Sequence, residues 1–116
     1  MREEPDPERF VSLQTFRSSG EPVATPVWFA NDGAAGFVFG THRDSGKVRR
    51  IRSIPAVRFA PANFRGLERG PYAAGVAEIL EPADAERAEL ALEAKYGWEW
   101  DAFGRKIDCF VRVRPR

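Results

Sequence analysis

The chain has 116 residues, 43% hydrophobic and 30% charged, with 18 basic against 17 acidic side chains and a formal net charge of +1. That length makes one domain with a core of modest margin, and the charge balance excludes a protein that holds nucleic acid through a global basic field. A single cysteine, Cys109, excludes an intrachain disulfide, and no apolar run approaches the roughly 20 residues of a membrane helix.

Residues 1–9 are acidic and proline-containing, without the apolar run of a signal peptide. They read as a polar, disordered lead-in to a domain spanning 1–116, and the default location is cytoplasmic. Val11 to Thr15 alternates apolar and polar, the period of a half-buried strand. Ser18 to Glu21 is a turn. Val23 to Ala30 predicts a second strand with Val23, Thr25, Val27 and Phe29 on one face. Pro26 falls inside it and has no N–H to donate, so the strand should be at an edge or bulged there. Asn31-Asp32-Gly33 is a hairpin turn signal, and Phe37-Val38-Phe39 is a third strand.

A short helix follows to about Ser53, capped by Asp44 or Ser45 and stopped by Pro55. Val48 and Ile51 should face inward, Arg49 and Arg52 outward. Val57 to Ala60 predicts a fourth strand, residues 61–71 a loop, and Tyr72 to Glu81 a fifth strand. A second helix begins at Pro82 and Asp84, places Ala85, Ala88, Leu92 and Tyr96 at helical spacing, and ends at Gly97. Ile107, Cys109, Val111 and Val113 alternate as a closing strand. Six short strands and two helices predict a mainly β fold, a small barrel with helices covering its open side.

The turn after the third strand carries the chemistry. Ser45, the Gly46 backbone, Lys47 and Arg50 gather hydroxyl, amides and positive charge at a helix start, where backbone N–H groups are unpaired and the dipole is positive. Two readings stand: a phosphate cradle, or a solvated helix start with surface charge. A nucleotide P-loop is rejected, because five residues separate Gly40 from Gly46 rather than four, and Val48 replaces the magnesium-binding hydroxyl. Pro26-Val27-Trp28 offers apolar contact for a flat ring, or is a strand with a core tryptophan. The segment Lys47 to Arg52 lacks the interleaved aromatics of a nucleic-acid helix and reads as a solvated face. One histidine, His42, and one cysteine make neither a usual zinc site nor a convincing nucleophilic pair. With no catalytic residues and no metal ligands in evidence, any reactive group is expected to come from a cofactor.

The order of these pieces resembles the split-barrel flavin and deazaflavin oxidoreductases, the pyridoxamine-phosphate-oxidase-like superfamily, and within it the small F420-dependent enzymes. The matching elements are Thr15 to Pro22, Pro26 to Phe29, Thr41 to Arg50, Arg65-Gly66 and Lys95-Tyr96-Gly97. The resemblance implies a six-stranded split β-barrel and a homodimer with the cofactor at the subunit interface. It implies that Ser45, Gly46, Lys47 and Arg50 hold the cofactor phosphate. Pro26, Val27 and Trp28 would lie along the ring, Thr41 near it, and Arg65 toward the tail. The implied activity is hydride transfer between reduced F420 and an unsaturated organic substrate. FMN in the same fold is the alternative, as is a non-catalytic flavin- or tetrapyrrole-binding protein. F420 carries a poly-glutamyl tail, for which Arg43, Arg49 and Arg65 are the candidate partners. The chain ends soon after its last strand, where larger relatives extend further, so the expectation is either an open substrate pocket or a sequence that stops short.

Overall fold

The computed structural model describes residues 9–33, 36–63, 68–103 and 107–116. Strands β1 (Phe10–Phe16), β2 (Pro22–Asn31) and β3 (Phe37–Thr41) come first, followed by helix α1 (Gly46–Ser53). Strands β4 (Ala56–Ala62) and β5 (Ala73–Ile79), helices α2 (Pro82–Tyr96) and α3 (Trp98–Phe103), and strand β6 (Cys109–Pro115) complete the chain. The strands close a barrel in the order β1-β2-β3-β6-β5-β4, every neighbouring pair antiparallel. This is the split-barrel fold class expected from the residues.

Period-2 alternation fills the barrel. Val11, Leu13, Val27, Phe29, Phe37, Phe39, Val57, Val111 and Val113 point inward and form one buried cluster. Phe37 sits edge-on against both Phe29 and Phe59, at 5.6 and 5.1 Å between ring centres. The helix α1 adds Ile51 to this cluster and buries Val48, so it seals one end of the barrel.

A second buried cluster lies outside the barrel wall. Ala30 and Val38 face outward from β2 and β3 and pack with Phe110, Leu92, Tyr96 and Trp100. Two-sided burial explains why Phe37-Val38-Phe39 is apolar without alternation. The helices are therefore placed differently from expectation. All six strands join the ring, so neither helix stands in for a missing strand; α2 lies along the outer wall of β2, β3 and β6, and α1 touches β1 and β5. A third helix, α3, follows Gly97, which ends α2 at φ 60° with its N–H bonded to the Glu93 carbonyl. The aromatic pair Trp98 and Trp100 had given no helical period to read over so short a stretch.

Tyr96 ties the two layers together. Its hydroxyl accepts from the Phe29 N–H at 3.1 Å and sits 2.6 Å from the Phe29 carbonyl and 2.9 Å from the Arg9 carbonyl, the two acceptors for its single proton. The Lys95 ammonium donates to the same Phe29 carbonyl at 2.8 Å. The lead-in thus ends at a fastened residue, Arg9, whose guanidinium also pairs with Glu99.

Candidate anion site where two strands part

The barrel wall splits between β2 and β3. Their ladder pairs Phe29–Asn31 with Phe37–Phe39. Carried on in register it would set Trp28 beside Gly40 and Val27 beside Thr41, but it stops. From there β2 continues along β1 down to the Phe16–Pro22 pair, while β3 continues along β6 to the Thr41–Cys109 pair. Pro26 lies in the parted stretch, opposite Ser12 of β1. Its missing N–H costs nothing there, because the ladder on the other side has already ended, so the expected edge position is met.

The start of α1 stands at the foot of this gap. Ser45 is the N-cap: its Oγ accepts from the Val48 N–H at 3.3 Å and from the Thr41 hydroxyl at 3.4 Å. Its own proton remains to donate outward. The Ser45 N–H is held by the His42 carbonyl at 2.9 Å, which closes the turn. Gly46 contributes space rather than backbone freedom. A Cβ there would lie 2.8 Å from the Arg50 Nη1, so the bare Cα lets the Arg50 guanidinium fold back over the first helical turn. Arg50 Nε then donates to Thr15 Oγ1 at 2.7 Å, anchoring α1 to β1.

The charge at this point is uncompensated. Lys47 is partly buried, and its ammonium is held below the ordinary value by burial first and by Arg50 second. Arg50 is likewise lowered, by burial, then Arg17, then Arg49. Among the described residues no carboxylate pairs with either, and α1 has no acidic residue in its first turn. Two partly desolvated cations beside free helix amides are poised for an anion.

The structure brings Thr41, Ser45, Gly46, Lys47 and Arg50 together, and adds Thr15 and Arg17, which had entered the sequence reading only as pattern residues. Thr15, which takes the Arg50 Nε hydrogen bond, pairs with Val23, three residues or about 10 Å along β2 from Pro26. The ring-lining trio divides. Val27 turns into the barrel core, Pro26 is exposed at the gap, and Trp28 turns outward. The Trp28 ring stacks on Tyr96 at 4.7 Å and 22°, with the Arg9 guanidinium 5.8 Å from its centre. What β2 presents to the gap is therefore its backbone edge and the Pro26 ring.

The expected tail-binding arginines do not follow the gap. Arg43 turns to Asp108, which takes its backbone N–H at 2.8 Å and its Nε at 3.4 Å. Arg49 caps the Asp44 carbonyl from outside at 3.2 Å. Arg65 and Gly66 lie outside the described residues. His42 is exposed, while Cys109 is a buried thiol raised above its ordinary value chiefly by burial. No group of three or more potential metal ligands occurs among the described residues, and no helix there is long and apolar enough to cross a membrane.

A closed antiparallel six-strand barrel that parts over a capped, cation-bearing helix start is the split-barrel class. The chain belongs to the pyridoxamine 5'-phosphate oxidase family, whose model matches residues 1–112. Among solved structures, the heme storage protein HutZ from Vibrio cholerae is 13% identical at a TM-score of 0.75, over 95% of this chain and 83% of its own. A FAD-binding protein from Mesorhizobium loti is 16% identical at 0.70, over 95% and 83%. An F420 reductase is 24% identical at 0.61, over 94% and 87%. These likenesses are of fold. No curated protein matches the chain.

Proposed function

We propose that this chain is a homodimeric oxidoreductase that holds F420 by its phosphate at the foot of the β2–β3 gap and transfers a hydride to an unsaturated organic substrate. One observation carries the reading: Lys47 and Arg50, partly buried at the Ser45-capped start of α1, have no carboxylate partner among the described residues. A phosphate there would meet two cations, the Ser45 hydroxyl and helix amides. Such a cofactor, when bound, supplies the hydride. This chain's residues fix its anionic end, and the β2 edge around Pro26 offers an apolar rest for its flat part. Among the described residues near the gap, the Thr41 and Ser45 hydroxyls and the buried Cys109 thiol have no base hydrogen-bonded to them, and the reading gives the protein the work of binding, orientation and exclusion of water. In a single copy Pro26 faces solvent, and a second copy over the gap would cover it.

FMN is the second reading, and the course of Arg43 and Arg49 favours it. Arg43 is drawn to Asp108 and Arg49 to the Asp44 carbonyl, so two of the three cations assigned to a poly-glutamyl tail are engaged within the chain. A binder without turnover, for a flavin or a tetrapyrrole, uses the same cations. The test is mass and absorbance of the protein as purified, then titration with F420, FMN and hemin while the oligomeric state is followed by light scattering. F420 or FMN should bind to a dimer and turn over with an electron acceptor. Hemin binding without turnover would establish the reading of a tetrapyrrole binder. Failure of both F420 and FMN to bind defeats the proposal.

A further inference from the structure

A second opening lies on the far side of α1. It measures about 280 Å³ and runs between the end of β5, the start of β6, the first turn of α2 and the last turn of α1. Its walls are apolar where Ala85, Cys109 and Phe110 face it, and its polar lining consists of Arg43, Arg52 and Asp108. None of Thr15, Lys47 and Arg50 borders it. The two sites sit on opposite sides of one helix because positions 47 and 50 share a face that position 52, about 200° from position 50, does not.

The charges point to a ligand class. Asp108 is engaged with Arg43, by the Arg43 N–H and Nε. Arg52 is exposed and has no carboxylate partner among the described residues. Two guanidiniums against one carboxylate leave one positive charge in excess at the rim of an apolar hollow. A dianion would leave charge unmatched, and a neutral hydrocarbon would leave Arg52 unused. At about 280 Å³ the hollow lies at the small end of the roughly 300–1,000 Å³ range of small-molecule sites, room for one compact organic molecule. We propose that this cavity binds an amphipathic monoanion, a medium-chain or aromatic carboxylate, with its apolar body against Ala85, Cys109 and Phe110 and its carboxylate on Arg52. The assignment is independent of the cofactor reading, since it shares no residue with the Lys47 site.

Octanoate is the probe, followed by calorimetry and by the backbone amide shifts of Ala85, Cys109 and Phe110. Saturable binding is expected, with shifts confined to those amides and their neighbours. Arg52→Glu, at an exposed position that the fold does not need, should weaken octanoate about tenfold or more, as loss and reversal of a charge-assisted contact requires. 1-Octanol, with the same chain and no charge, should bind about tenfold more weakly than octanoate. Lys47→Glu should leave octanoate affinity in place while removing anion binding at the other site, which separates the two proposals. Ala85→Trp should fill the cavity and weaken octanoate binding. The inference is overturned if octanoate gives no saturable shift at these amides, if Arg52→Glu leaves its affinity unchanged, or if octanol binds equally well.

Discussion

Replacing Lys47 with Met separates a side chain kept for an anion from one kept for the fold. Met retains the apolar stem and removes the charge. In the cofactor-bound protein the ammonium makes a charge-assisted contact with phosphate, worth about 1.5–3 kcal/mol, which is a roughly 10- to 150-fold loss of affinity. In the free protein the sign is opposite. Lys47 is desolvated, lies three residues from Arg50 on the same helix and has no acid to pair with, so its charge costs stability. A like-charge helical pair costs about 0.2–0.5 kcal/mol, and burial adds to it. The Lys47→Met protein should therefore melt on the order of 1–4 °C higher than the parent at neutral pH. The pH dependence follows. The folded-state value lies below the ordinary 10.5, so the unfolded chain binds more protons between the two values and the parent gains stability as pH rises through that window. The advantage of Lys47→Met is full below the folded value and closes as pH approaches 10.5. The assays are fluorescence titration with F420 and FMN and thermal melts from pH 7 to 10.5. A variant that binds both cofactors as the parent does, or that melts lower at pH 7, would refute the reasoning.

Three substitutions probe the frame around the site. Gly36→Ala puts a Cβ 2.0 Å from the Val113 carbonyl oxygen at a residue with φ of +113°, and should cost about 1–3 kcal/mol or more in a urea melt, since backbone cannot yield as a side chain can. Tyr96→Phe removes the hydroxyl that serves the Phe29 N–H and should cost about 1–3 kcal/mol, with increased exchange at the Phe29 amide. Ile51→Ala opens a cavity at the sealed end of the barrel and should cost about 2–5 kcal/mol; because α1 carries Lys47 and Arg50, cofactor affinity should fall with it, whereas Tyr96→Phe should spare affinity.

Strand identity, a cap at Asp44 or Ser45, the inward turn of Val48 and Ile51 and an edge or bulge at Pro26 were legible because each depends on neighbours within a few residues: period, a capping side chain, a missing N–H; the structure chose Ser45 and the edge. The same locality made the Ser45-to-Arg50 cation cluster visible, all within a turn and a half of helix. Trp28 was not legible as a Tyr96 partner, since the two stand 68 positions apart and meet through the packing of α2 on the barrel wall. Arg43 illustrates the same limit: nothing near it in the chain announces Asp108, which arrives on the approach to β6 and turns the side chain away from the gap.

Short-range chemistry thus set the elements of this chain and the sign of the charge at its helix start. Closure of the barrel settled which residues share that charge: pairing β1 with both β2 and β4 brings Thr15 under Arg50 and Arg17 near it, and the early end of the β2–β3 ladder opens the gap above them. Registers between strands depend on how two faces pack at once, a condition that no single stretch of residues expresses.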